Sequence, residues 1–130
     1  MLVVDANVAV YSCNAGHELG WLGDQELCAP TLLWPEFRSA VRGAAWRGDI
    51  SVERSHELAL ALGRLAVTPR TNRRLGPEAL CIAEKLGWAR CYDAEYCALA
   101  SLLGCRLVTF DGRLRRGADR LGFVITPAEL

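Results

Sequence analysis

Two short apolar runs, LVVD at residues 2–5 and LVTFD at residues 107–111, each stop on an aspartate. Two further acids stand where helices are expected to begin, Glu36 in WPEFRSAV and Asp93 in CYDAEY. Singly, each has an ordinary structural use. Asp caps a helix well, and a carboxylate in a first helical turn accepts backbone N–H groups and meets the positive end of the dipole. Gathered in one place, the same residues do something else. Two carboxylates about 4 Å apart repel by about 4 kcal/mol at an effective dielectric near 20, so a cluster of them needs a counter-charge. Hard divalent cations supply it, because carboxylate oxygens suit Mg²⁺ or Mn²⁺. Such a site, with open coordination positions, can hold a phosphate and activate a water.

Whether the acids meet depends on the elements that carry them. LVVD reads as a buried strand followed by a short helix through NVAVYSCN, and LCAP as a second strand. From about Leu33 to Arg47, apolar residues recur at three- and four-residue spacing (Phe37, Ala40, Val41, Ala44, Ala45), the signature of an amphipathic helix. Ser51 is a suitable N-cap for a helix whose apolar face is Leu58, Ala61, Leu62 and Leu65. VTP offers a third strand. Pro77 stands where a first helical residue belongs and Gly87 where that helix should stop. A further helix runs from about Asp93 to Leu103 and stops at Gly104. It is followed by the strand RLVTF, a helix through Leu114, Ala118 and Leu121 that stops at Gly122, and the strand FVIT. Strands apolar throughout and separated by helices mean a parallel sheet covered on both faces. The expected fold is a three-layer α/β/α domain, residues 1–130, around a parallel sheet of four to five short strands. In such folds ligands gather outside the carboxyl ends of the strands, where strand order reverses. Asp5 and Asp111 both stand at such ends.

Composition narrows the class. The chain of 130 residues is 52% hydrophobic and 23% charged, as expected of one globular domain rather than a disordered segment. No apolar run approaches the roughly 20 residues of a membrane span. No basic stretch precedes an apolar one at the N-terminus, so a cytoplasmic protein is expected. Six cysteines are scattered without a C-x-x-C pair and read as free, mostly buried thiols. The formal charge is zero, but four acids withdrawn into one site leave eleven against fifteen cations elsewhere. Fourteen of those cations are arginine, the side chain whose planar fork fits phosphate. Arg113, Arg115 and Arg116, just past Asp111, are candidates for holding nucleic-acid phosphates; solvated surface accounts for them equally well.

The pattern V-D-A-N-V near the N-terminus, Glu36 in WPEFRSAV, then YDAEYCALA and LVTFDGRL resembles the PIN-domain nucleases, and more narrowly the small VapC-type toxins of bacterial toxin–antitoxin pairs. The resemblance runs through the whole chain in order. It implies that Asp5, Glu36, Asp93 and Asp111 bind one or two Mg²⁺ or Mn²⁺ ions, with Asn7 and Thr109 supporting them. It also implies metal-dependent hydrolysis of RNA by an activated water, on structured RNA such as tRNA, leaving 5′-phosphate and 3′-hydroxyl ends. Neither His17 nor His56 is required. All four family acids are present. One departure concerns Glu36: Pro35 directly precedes it, restrains Trp34 toward extended geometry, and starts or kinks the helix there.

The family further implies a cognate antitoxin that occludes the acids and a homodimer. Trp21, Trp34 and Trp46 are candidates for an antitoxin groove or dimer face, with core packing as the alternative for each. Two other readings compete. An aspartate-nucleophile phosphotransferase or receiver domain also places Asp after a first parallel strand, but it needs a lysine near a late strand, and the one lysine here, Lys85, lies within a helix. A non-catalytic RNA- or protein-binding module is the third, and it predicts that mutating the acids changes nothing.

Overall fold

The protein is described here from a computed structural model, for residues 1–16 and 18–130; His17 lies outside the described residues. Five strands form one parallel sheet: β1 (Leu2–Val4), β2 (Leu27–Pro30), β3 (Val67–Arg70), β4 (Arg106–Val108) and β5 (Val124–Ile125), in the order β3-β2-β1-β4-β5. β1, β2 and the apolar residues of β4 and β5 are buried on both faces, which is why these strands read as unbroken apolar runs. β3 keeps only Val67 buried. It pairs with β2 alone, and an edge position is where Pro69 is tolerated in a strand.

Six helices flank the sheet: α1 (Ala6–Ala15), α2 (Leu33–Trp46), α3 (Val52–Leu62), α4 (Leu75–Leu86), α5 (Tyr92–Leu103) and α6 (Gly112–Gly117). α1, α2 and α3 pack on one another; α4 packs on α5, and α5 lies on β1, β2 and β4. α5 is buried from Ala94 and Tyr96 through Ala100, so the small residues of YCALA serve close approach to the sheet rather than an amphipathic stripe. Gly87 and Gly104 end α4 and α5 in the left-handed conformation, their N–H groups turned back on the last carbonyls. Among the described residues, no helix is long and apolar enough to cross a membrane.

Several boundaries differ from the sequence expectation, each for a local reason. α2 includes Trp34, which is helical rather than extended. Pro35 lies in the first turn, where its missing N–H has no intrahelical partner to lose, and Glu36 N–H already bonds Leu32 C=O at 3.1 Å. α4 likewise starts at Leu75, two residues ahead of Pro77. α3 is capped by Ser51 as expected, but it closes at Leu62, so Leu65 packs from the following turn. The β4 ladder ends at Val108, because the Thr109 hydroxyl accepts the Asp111 N–H and turns the chain. The helix expected through Leu121 breaks at Ala118 after Gly117, and a 3₁₀ turn over Asp119–Leu121 completes it. All six cysteines are free: Cys13, Cys28 and Cys97 are buried, Cys91 and Cys105 half-buried, and Cys81 exposed.

Candidate active site

The chain runs outward from β1 to β2 and β3, then crosses back to β4 on the other side of β1. Strand order therefore reverses between β1 and β4, opening a crevice at their carboxyl ends. Val4 and Val108 are paired in register there, and Asp5 N–H bonds Val108 C=O at 3.1 Å, so both strands finish level. Asp5 leaves β1 into α1, and Asp111 leaves the β4 turn into α6. Each also caps its helix: Asp5 Oδ1 accepts from Ala6 N–H at 2.7 Å, and Asp111 Oδ1 from Arg113 and Leu114 N–H at 2.8 and 3.2 Å. Capping and delivery to one place are the same event, because the cap bonds fix where the other oxygen points.

The other two acids come from helices. Glu36 is in the first turn of α2. Asp93 is the second residue of α5 and makes no cap bond, so the cap role open to it in the sequence is not the one it takes. All four line one open depression of about 490 Å³, together with Asn7, Tyr11, Ala40 and Phe110. Ala40, one turn beyond Glu36, is expected from the sequence on the core face. It lies exposed on this wall instead, where a small side chain keeps the depression open. Asp93 and Asp111 also border a second groove of about 600 Å³ with Trp88, Arg90, Tyr92 and Arg113.

A single hydroxyl ties the crevice together. Thr109, fully buried, donates to Asp5 Oδ2 at 2.7 Å and accepts from Asp111 N–H at 2.9 Å and Asn7 Nδ2 at 3.3 Å. That uses its one donor and both acceptor positions. Asn7 closes the ring by accepting Phe110 N–H on Oδ1 at 3.1 Å. Thr109→Val keeps the shape but strands an acceptor and two donors. We expect a loss of about 1–3 kcal/mol in thermal or urea unfolding, with Thr109→Ser close to wild type.

The acids strain one another electrostatically. Burial first, and then the neighbouring Asp93 and Asp111 charges, hold Asp5 up at about 6 despite its hydrogen bonds from Thr109 and Ala6. Burial together with Asp5 and Asp93 raises Glu36 to about 7, against the lowering effect of the Tyr96 hydroxyl that donates to its Oε2 at 3.3 Å. Asp93 is shifted upward by desolvation and by Asp111. Among the described residues, no Arg or Lys forms an ion pair with any of the four. Nor are any three of them drawn together as they stand into a ready-made ion cage. The donor set is nonetheless wholly hard oxygen and, among the described residues, without an ion-paired counter-charge, and it fits Mg²⁺ or Mn²⁺.

Of the arginines singled out in the sequence, only Arg113 borders the acids. Arg115 is engaged by Glu129 at 2.8 Å and Asp119 at 2.7 Å, and Arg116 folds back over Gly112. Trp34 is packed against the core, whereas Trp46 is 78% exposed. His56 is exposed on α3, away from the crevice. Sequence reasoning overlooked Arg90, Tyr92, Tyr96, Tyr11 and Phe110. For Tyr96 a signal existed: it follows Asp93 by three residues, a spacing that puts both on one side of α5.

Residues 2–120 match the family pattern described as PIN domain. The chain belongs to the PIN-domain family. Over 115 residues, 88% of each chain, it is 34% identical to the VapC ribonuclease Mb0985 of Mycobacterium bovis and, to the same degree, to Ribonuclease VapC9 of Mycobacterium tuberculosis. The crystal structure of PAE2754 from Pyrobaculum aerophilum shares the fold at a TM-score of 0.73 and 25% identity, over 98% of this chain and 90% of that one. Within its family this PIN domain is a VapC-type ribonuclease, as the motifs around the four acids led us to expect.

Proposed function

We propose that this PIN domain hydrolyses RNA phosphodiester bonds with one or two divalent cations, Mg²⁺ or Mn²⁺, held by Asp5, Glu36, Asp93 and Asp111. It does so as the toxin of a toxin–antitoxin pair. The observation that carries this reading is that four carboxylates, without a basic partner among the described residues, line one depression at the point where strand order reverses. The proposal extends to a cognate antitoxin, a homodimer, and structured RNA such as tRNA as substrate, which the family resemblance implies.

A divalent cation bound there supplies Lewis-acid polarisation of the phosphoryl group and lowers the pKa of a bound water. The chain supplies the rest. Thr109 and the Ala6 N–H hold both oxygens of Asp5, and Asn7 locks the β4–α6 turn against α1, so the strand-borne acids are preorganised. Glu36 and Asp93 enter from the first turns of α2 and α5. Tyr96 donates to Glu36 Oε2, which leaves Oε1 available to the cation or to its bound water.

Arg90 and Arg113, in the groove beyond Asp93 and Asp111, take the phosphates that flank the scissile one. Arg113→Ala should therefore weaken RNA binding and lower the slope of log K against log salt by about 0.7, one single-strand phosphate contact. Arg115→Ala should leave that slope unchanged, since its guanidinium is already committed to Glu129 and Asp119. Filter binding across a salt series reads both.

The test of the activity is incubation of the purified, partner-free chain with a mixed tRNA pool in Mn²⁺, Mg²⁺ or EDTA, with the ends of any fragments analysed. Metal-dependent cleavage leaving 5′-phosphates supports the proposal. An inert protein with metal demonstrably bound makes the domain a binding module instead.

A further inference from the structure

At the rim of the acid depression three rings from three separate segments converge. Tyr11 lies on α1, one helical turn past Asn7. Trp21 lies on the 3₁₀ turn Leu19–Leu22, and Phe110 between Thr109 and Asp111. Tyr11 and Phe110 have ring centroids 4.9 Å apart, Trp21 and Phe110 are stacked at 5.9 Å, and Tyr11 meets Trp21 edge-on at 6.1 Å. Hydrogen bonds fix the cluster to the scaffold. Trp21 Nε1–H donates to Ser12 Oγ at 3.2 Å, and Phe110 N–H donates to the same Asn7 that supports the acids. Leu19 and Leu22, both buried, pin the turn that carries Trp21.

Packing does not account for the cluster. Rings that served only to close a loop would be covered, yet Tyr11 is 52% exposed, Phe110 43% and Trp21 38%. Tyr11 and Phe110 line the same depression as all four acids. The depression contains no basic side chain, so its rim beyond the acids offers no cation to a phosphate and presents aromatic faces to something uncharged and flat. The cations lie on the opposite side, at Arg90 and Arg113. A strand of RNA laid across the crevice thus meets a phosphate-binding groove on one flank and a base-binding surface on the other.

Resting on the ribonuclease reading, we infer that Tyr11, Phe110 and Trp21 form a stacking platform for an unpaired nucleobase next to the scissile phosphate. A base inside a duplex has both faces occupied, so the platform confines cleavage to unpaired segments of the RNA. Base–aromatic stacking tolerates any base, because each has a π-face. The platform therefore selects single-strandedness rather than sequence.

The experiment uses the full chain carrying Asp5→Asn, which binds without cutting, and single-stranded RNA dodecamers with 2-aminopurine at successive positions. Stacking on a ring quenches 2-aminopurine. We expect quenching at one or two adjacent positions, weakened in affinity about 10- to 100-fold by Phe110→Ala or Tyr11→Ala and retained in Phe110→Trp. Tyr11→Ala is the cleaner variant, since Tyr11 adjoins no acid in sequence. In the Asp5 parent the same alanine variants should lose cleavage of an unpaired strand by a similar factor. Alanine variants that bind and cleave as their parents do overturn the inference and leave the rings to a protein partner. A parent that cleaves no RNA while ring-dependent quenching persists removes the nuclease reading and keeps the platform.

Discussion

We expect Asp5→Asn to abolish RNA cleavage, by at least about 100-fold on the scale of losing one preorganised electrostatic group, and yet to leave stability at pH 8 in EDTA unchanged or higher. The two effects have one source. Asp5 is buried, with a pKa near 6, some two units above its ordinary value, so keeping it ionised costs the fold about 3 kcal/mol. An Asn side chain avoids that cost. It loses the bond in which Thr109 donates to Oδ2, worth about 1.5–3 kcal/mol for a charged acceptor. The net expectation is a gain of about 0–1.5 kcal/mol, read in urea unfolding, beside a dead enzyme in a tRNA cleavage assay. An Asp5 that served only as an N-cap would leave activity intact and stability nearly unchanged, because Asn caps a helix as well as Asp does.

In EDTA the wild-type protein becomes less stable as pH rises from 5 to 8. The sign follows from the folded pKa values. Asp5 at about 6 and Glu36 at about 7 both lie above the 3.8 and 4.5 of the same groups in the unfolded chain, so the folded state binds protons more tightly than the unfolded one between those limits. The stability so gained is present at low pH and lost as pH passes the folded values. The two groups are coupled and Glu36 is half-exposed, so solvent screening discounts its share, and together they amount to about 2–3 kcal/mol. For a chain of this size that is roughly 6–12 °C in Tm. Adding Mn²⁺ or Mg²⁺ should restore the loss at pH 8 and do little at pH 5, where protons already neutralise the site. Thermal unfolding by circular dichroism across this range, with and without cation, reads both arms. The exposed Arg115–Glu129 pair does not interfere, because Glu129 titrates near 2.

Much of this site is written in the local sequence, for an identifiable reason. A buried parallel strand must be apolar on both faces, so LVVD and the LV of LVTFD announce themselves, and the acid that ends each run is conspicuous. Glycine stops such as Gly87 and Gly104 are legible because few other residues accept the left-handed turn. What the sequence hides is lateral placement. Nothing in the chain order tells that β4 returns beside β1, which is what brings Asp111 to Asp5. The three rings have the same property: Tyr11, Trp21 and Phe110 are scattered along the chain and meet only in the fold. The arginines illustrate the converse. Arg113, Arg115 and Arg116 look alike in sequence, but α6 turns Arg115 toward Glu129 and Arg116 over Gly112, leaving Arg113 on the acid groove. Proline misled at Pro35 and Pro77 because a first helical turn has several positions without N–H partners, and proline suits more than the first of them.

The central claim is that the strand-end aspartates are delivered to one cation site, and titration calorimetry with Mn²⁺ at pH 7 tests it most directly. We predict binding to the wild type with a heat that varies with the ionisation enthalpy of the buffer, because the cation displaces protons from Glu36 and Asp5. Binding should weaken sharply in both Asp5→Asn and Asp111→Asn. Mn²⁺ that fails to bind, or binds both variants as it binds the wild type, would contradict the account and return the two aspartates to the role of helix caps.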